Sequence, residues 1–147
     1  MFDPSAPQNL TVGGEAGTTV NGAFSSSLTI QVRDGSSLNA YNVMHGTGSL
    51  LIERIGSLSS DSVVALRSNG GSSFGASTFT GGVTLNSGYL DLQESSETSG
   101  GSVVAGPLGT GTFTVAGGKV IATTGLAFIH NHLKLNADLI SDDGGTL

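Results

Sequence analysis

Three groups of side chains have the types and spacing that chemistry uses. Gly71-Ser-Ser-Phe-Gly75 fits the G-x-S-x-G pattern of a nucleophile elbow, in which Ser73 would attack an acyl group. That motif works where a strand enters, a helix leaves, and a histidine and an acid are brought near. Here it lies in a Gly- and Ser-rich stretch with no helical pattern behind it, so chance matching accounts for it. His130-Asn-His132 puts two imidazoles on one side of an extended segment. A zinc site takes three or four ligands, and with no cysteine in the chain only His45 is left to join them. A solvent-facing pair is the expectation. Asp91, Glu94 and Glu97 are close in sequence, as the carboxylates of a polysaccharide-cleaving site must be in space. Glu94 and Glu97, however, lie in residues 93–100, which read as an exposed loop, so these two acids are expected to be solvated. Asp138, Asp142 and Asp143 lack the spacing of a calcium loop and read as turn residues. The chain is therefore expected not to be an enzyme, to hold no cofactor or metal, and to tolerate alanine at Ser73, His130 or Asp91.

Binding motifs are equally sparse. There is no Trp, and of Tyr41 and Tyr89 only the latter, beside Gly88, is expected to turn its ring outward, which makes a weak carbohydrate platform. Asn9-Leu-Thr11 fits a glycosylation acceptor, a three-residue pattern that says little in a polar chain.

The elements that would carry these residues announce themselves by repetition. Thr80-Gly-Gly-Val-Thr-Leu-Asn-Ser-Gly-Tyr-Leu-Asp-Leu92 and Gly111-Thr-Phe-Thr-Val-Ala-Gly-Gly-Lys-Val-Ile-Ala122 align without a gap. Val83, Leu85 and Leu90 fall on Phe113, Val115 and Val120, and Gly88 falls on Gly118. Leu133-Lys-Leu-Asn-Ala-Asp-Leu-Ile140 is a looser third copy, with Ala137-Asp138 in place of the glycine turn. Each copy is strand, turn, strand. The predicted core is Val83, Leu85, Leu90, Phe113, Val115, Val120, Leu133, Leu135 and Ile140, with Gly82, Gly88, Gly117 and Gly118 as turn glycines. Asn131 is expected to point inward, where identical amides stacked between layers form ladders.

Alternation of apolar and polar residues, the mark of a half-buried strand, also runs through Ser27-Leu-Thr-Ile-Gln-Val-Arg33. Further strands are expected near 37–40, 48–52 and 62–66. Turn signals such as Asp34-Gly35, Asn69-Gly70 and Gly100-Gly101 separate them. No window holds an apolar stripe at helical spacing, so helix content should be close to nil. Two all-β architectures compete: an antiparallel sandwich with tight hairpins, and a parallel β-helix, or β-solenoid, of about six coils. In-register copies favour the solenoid. One domain spanning 1–147 is expected, with 1–17 as an N-terminal arm or cap, 18–70 as degenerate coils and 71–147 as the clearer repeats.

Composition narrows the function classes. The 147 residues include 24 Gly, only 11% charged residues and a net charge of -6. Alternating Val, Leu and Ile supply the apolar area that disordered chains lack. Five scattered basic residues cannot neutralise a phosphate backbone, so nucleic acid is not an expected partner. No apolar run is long enough to span a bilayer. The first residues lack the basic patch and apolar run of a signal peptide, so an exported protein would be represented here by its mature part. Absence of cysteine excludes a disulfide framework and is compatible with the cytosol and also with a secreted chain that crosses a periplasm unfolded.

Residues 80–92, followed by Gly106-Pro-Leu-Gly-Thr-Gly-Thr-Phe-Thr-Val-Ala-Gly-Gly-Lys-Val120, resemble the autotransporter-associated β-strand repeat, also called the passenger-associated transport repeat. The resemblance covers about 74–122 and is faint before 70. It implies a right-handed β-helical stalk of a large bacterial surface protein, in which the repeat is scaffold and export aid. The expected role is structural or adhesive, outside the cell or on its surface, within a longer repeat protein. A host or polysaccharide surface would be the ligand. Alternatives are an end-to-end homo-oligomer or filament, with the C-terminal layer adhesive and Pro4 and Pro7 protecting the other side, and a carbohydrate-active β-helix.

Overall fold

The computed structural model describes residues 8–12, 15–56, 62–68, 77–123 and 127–141. All regular structure in them is β. The strands are β1 (Gln8–Val12), β2 (Glu15–Phe24), β3 (Ser27–Arg33), β4 (Ser37–Gly46), β5 (Ser49–Ile55), β6 (Val63–Ser68) and β7 (Val83–Leu85). They continue with β8 (Tyr89–Leu92), β9 (Glu97–Ser99), β10 (Ser102–Ala105), β11 (Phe113–Val115), β12 (Lys119–Ile121), β13 (Leu133–Leu135) and β14 (Ile140–Ser141). Apart from the β9–β10 hairpin, strands alternate between two six-stranded sheets, one ordered β1-β3-β5-β7-β11-β13 and the other β14-β12-β8-β6-β4-β2.

Every pairing within these two sheets is parallel. Parallel neighbours need a long crossover, and here each crossover runs through a strand of the opposite sheet. The antiparallel sandwich is thereby set aside. Its candidate hairpin at Asp34-Gly35 is instead a corner between strands of different sheets, with Gly35 at φ 69° and Ser36 N–H donating to the Arg33 carbonyl at 2.9 Å.

Parallel register puts like on like. Ile30, Ile52, Leu85 and Val115 form one column, each at most 1% exposed, and Leu38, Val64, Leu90 and Val120 face them from the other sheet. Val83 pairs with Phe113 and Leu90 with Val120, as the aligned copies predict, and all are buried. β1 lies within the span expected to be an arm or cap, yet it pairs with β3. The ten-residue ladder of β2 on β4 belongs to the half where the repeat motif is faint.

Three core expectations need correction. Leu133 and Leu135 do lie in the Phe113 and Val115 columns, but they are 44% and 53% exposed, because among the described residues no further strand pairs on the outer edge of β13. Ile140 is 47% exposed and pairs with Lys119; Ser141, not Ile140, occupies the Val120 column. The cause is corner length. Asn86-Ser87-Gly88 and Ala116-Gly117-Gly118 turn in three residues, the last at φ +85° and +80°, which glycine adopts without strain. The third corner starts identically, with Asn136 and Ala137 N–H both donating to the Val115 carbonyl as Ala116 and Gly117 do to Leu85. Lacking a glycine, it then takes a fourth residue, Leu139. One added residue reverses every following side chain, so Ile140 faces out and Leu139 packs on the core instead.

The turn glycines serve two ends. Gly82, Gly88 and Gly118 have positive φ; Gly117 does not, but a Cβ on it would stand 2.5 Å from the Asn86 carbonyl oxygen, so its role is close approach of layers.

Candidate functional site

Among the described residues, the second sheet carries a cluster that combines a buried carboxylate with a hydroxyl and an amide. Asp91 lies on β8 and is 3% exposed. Its neighbours come from two places. Gln93 follows at i+2 on the same side of the chain, and Thr123 arrives from the next layer, two residues past Ile121, which pairs with Asp91. The Thr123 N–H donates to Asp91 Oδ1 at 3.0 Å, and its hydroxyl donates to Oδ2 at 2.6 Å. Gln93 Nε2 donates to the same Oδ2 and stands 3.5 Å from Thr123 Oγ1. A buried carboxylate so supplied with donors is a stable arrangement. The signal for it was in the sequence: Gln93 and Thr123 share the 30-residue offset that aligns the two copies.

The segment 93–100, expected as a loop, contains β9, which pairs antiparallel with β10 around Gly100 and Gly101 at φ 60° and 85°. Two adjacent positive φ angles are those of the hairpin turn that matches strand twist. Glu97 is exposed on this hairpin and Glu94 is half-buried; neither is hydrogen-bonded to Asp91.

His130 and His132 are exposed, with Asn131 between them turned inward, 8% exposed. The amide makes no ladder of like residues. Asn131 Nδ2 instead donates to the carbonyls of Gly109 and Gly111 at 3.1 and 2.8 Å, and its Oδ1 accepts from Ser96 Oγ at 3.0 Å, so its side chain ties one layer's return to the next. Among the described residues no group of three or more His, Asp or Glu side chains could hold a metal ion. Asp138 is exposed. Ser73 and its motif, Asn69-Gly70, Asp142, Asp143, Pro4 and Pro7 lie outside the described residues.

Two further features mark the surface and the end of the stack. Lys119 Nζ sits 5.1 Å from the centre of the half-buried Tyr89 ring, one layer over the other. A cavity of about 300 Å³ opens between the sheets beside Phe113, Leu92, Ile129, Asn131 and Leu133. Among the described residues no helix is long and apolar enough to cross a membrane.

The cluster at Asp91 joins a carboxylate, a hydroxyl and an amide by hydrogen bonds. In comparisons with family models, curated proteins and solved structures, nothing matches this chain.

Proposed function

We propose that the chain is a segment of a right-handed parallel β-solenoid whose work is mechanical: a rigid stalk or scaffold of an extracellular bacterial surface protein. The observation that carries this reading is the in-register parallel pairing, with strands alternating between two six-stranded sheets around one set of apolar columns. Bonds between return segments support continuous coiling: Thr78 N–H to Met44 O at 2.8 Å, Thr110 N–H to Phe79 O at 2.9 Å and Ser96 N–H to Phe128 O at 2.9 Å. Stacked layers of this kind gain stability from each neighbour and extend along one axis by about 4.8 Å per layer, which is what a spacer needs. The resemblance of 74–122 to passenger repeats points the same way.

Antibody against the chain should label intact source cells, and external protease should remove the label. Labelling that appears only after permeabilisation would refute the surface assignment. Separately, inserting a further in-register copy of 83–112 should lengthen the particle by about one layer, about 4.8 Å, while keeping it soluble and raising its unfolding temperature. An insertion that unfolds the chain would refute the stacking.

A second reading, end-to-end association of copies, is favoured by Leu133, Leu135 and Ile140, which present apolar area at the edge of the stack. A sedimentation coefficient that does not rise with concentration would remove it.

A further inference from the structure

The geometry points to Asp91, Gln93 and Thr123 as a self-cross-linking site, at which the Thr123 hydroxyl forms an ester with the side chain of Gln93 and joins adjacent layers covalently. The three groups have the roles of an acyl transfer. Thr123 Oγ1 is the nucleophile, and its proton is held by Asp91 Oδ2 at 2.6 Å. The electrophile is the Gln93 amide carbon, whose nitrogen is 3.5 Å from that oxygen. This atom is fixed as nitrogen because both its neighbours, Asp91 Oδ2 and Thr123 Oγ1, offer lone pairs.

The decisive feature is that one carboxylate oxygen touches both the proton to be removed and the group that must leave. Asp91 Oδ2 accepts from the Thr123 hydroxyl and from Gln93 Nε2, while Oδ1 is anchored by the Thr123 backbone N–H at 3.0 Å. As Oγ1 attacks Gln93 Cδ, the hydroxyl proton passes to Oδ2. The Oγ1–Cδ bond forms, and the Cδ–Nε2 bond breaks with its electron pair going to nitrogen. Oδ2 returns the proton to that nitrogen, which departs as ammonia. Asp91 ends as it began, nothing is oxidised or reduced, and no co-reactant is required. Ammonia escapes to solvent and is protonated there, which draws the exchange of amide for ester forward. The cost of bringing the groups together is met by folding, since β8 and β12 are held in register by the sheet.

Mass spectrometry tests this on the folded 14.6 kDa chain. The intact mass should fall below the sequence value by about 17 Da, the mass of the ammonia lost in the acyl transfer. Trypsin cuts after Lys119 and Lys134, so Gln93 and Thr123 belong to different peptides. The 120–134 peptide should be found attached to the 68–119 peptide and be freed by hydroxylamine. Thr123→Ser should keep the link; Thr123→Val and Asp91→Asn should show the full sequence mass. A succinimide at Asn69-Gly70 gives the same loss, but within 68–119 alone. Full sequence mass in the folded wild type, or a loss confined to 68–119 with 120–134 free, overturns the proposal.

Discussion

Gly118→Ala and Gly101→Ala share a positive φ and should differ sharply in cost. Gly118 has φ +80°, and an added Cβ would stand 2.5 Å from the Gly88 carbonyl oxygen and 3.2 Å from the Gly88 nitrogen. Both are backbone atoms of the adjoining layer and cannot step aside. To reach ordinary contact the corners must part by roughly 1 Å, which breaks the 2.9 Å bond from Lys119 N–H to Gly88 O. A left-handed alanine costs about 1–2 kcal/mol. Leaving that carbonyl poorly satisfied costs about another 1–3 kcal/mol. The expected loss is therefore about 2–5 kcal/mol for Gly118→Ala. Gly101 has φ +85° and nothing within 4 Å of the added carbon, so only the conformational cost of about 1–2 kcal/mol remains. Urea unfolding followed by far-UV circular dichroism measures both, with the slope compared to establish that the same surface is exposed. Equal losses in the two variants would refute the argument that layer contact, and not backbone conformation alone, demands glycine at the corner.

Leu85→Ala, at a side chain with no exposure, should cost about 2–5 kcal/mol, whereas Leu135→Ala in the same column at 53% exposure should cost under about 1 kcal/mol; thermal unfolding separates them. Asp91→Ala should lower stability by about 1–2 kcal/mol, since it removes the buried acceptor shared by the Thr123 N–H and hydroxyl and the half-buried Gln93 amide while water reaches the exposed Thr123, and a neutral effect in urea unfolding would contradict the bonding described. Asn131→Asp should destabilise more than Asn131→Ala, because a carboxylate would face the carbonyls of Gly109 and Gly111 that the amide now serves; the order of the two melting temperatures is the check.

Period-two patterning was enough to find β3 at its observed bounds and β7, β11 and β13 to within a residue, because apolar side chains there alternate with polar ones and only one side is buried. The gap-free alignment also supplied true spatial partners, Val83 with Phe113 and Leu85 with Val115. β2 escaped because the stretch from Glu15 to Phe24 contains few apolar residues to alternate, while β1 carries a single Leu10-Thr-Val12 alternation beside the prolines of the first residues. β9 escaped because Glu-Thr-Ser carries no apolar side chain at all. Ile140 was misplaced by counting: its distance from Leu133 equals that of Val120 from Phe113, and only the missing corner glycine reveals that the turn is longer. Asp91 shows a different limit. Alternation tells which side of a sheet a residue takes, but its burial depends on residues such as Thr123, far away in sequence.

The four-residue corner at 136–139 has a wider consequence, which is that side-chain direction in this chain obeys something like a reading frame. The corners 86–88 and 116–118 keep that frame at three residues each, and a single insertion or deletion there would turn a whole strand inside out, as harmful as several core substitutions at once. The connection between β8 and β11 is under no such discipline: it accommodates an entire hairpin, while the described residues between β12 and β13 contain none. Tolerated changes in length, including engineered epitopes or tags, therefore belong on the return side, with the tip at Gly100-Gly101, open to solvent, as the first place to put them.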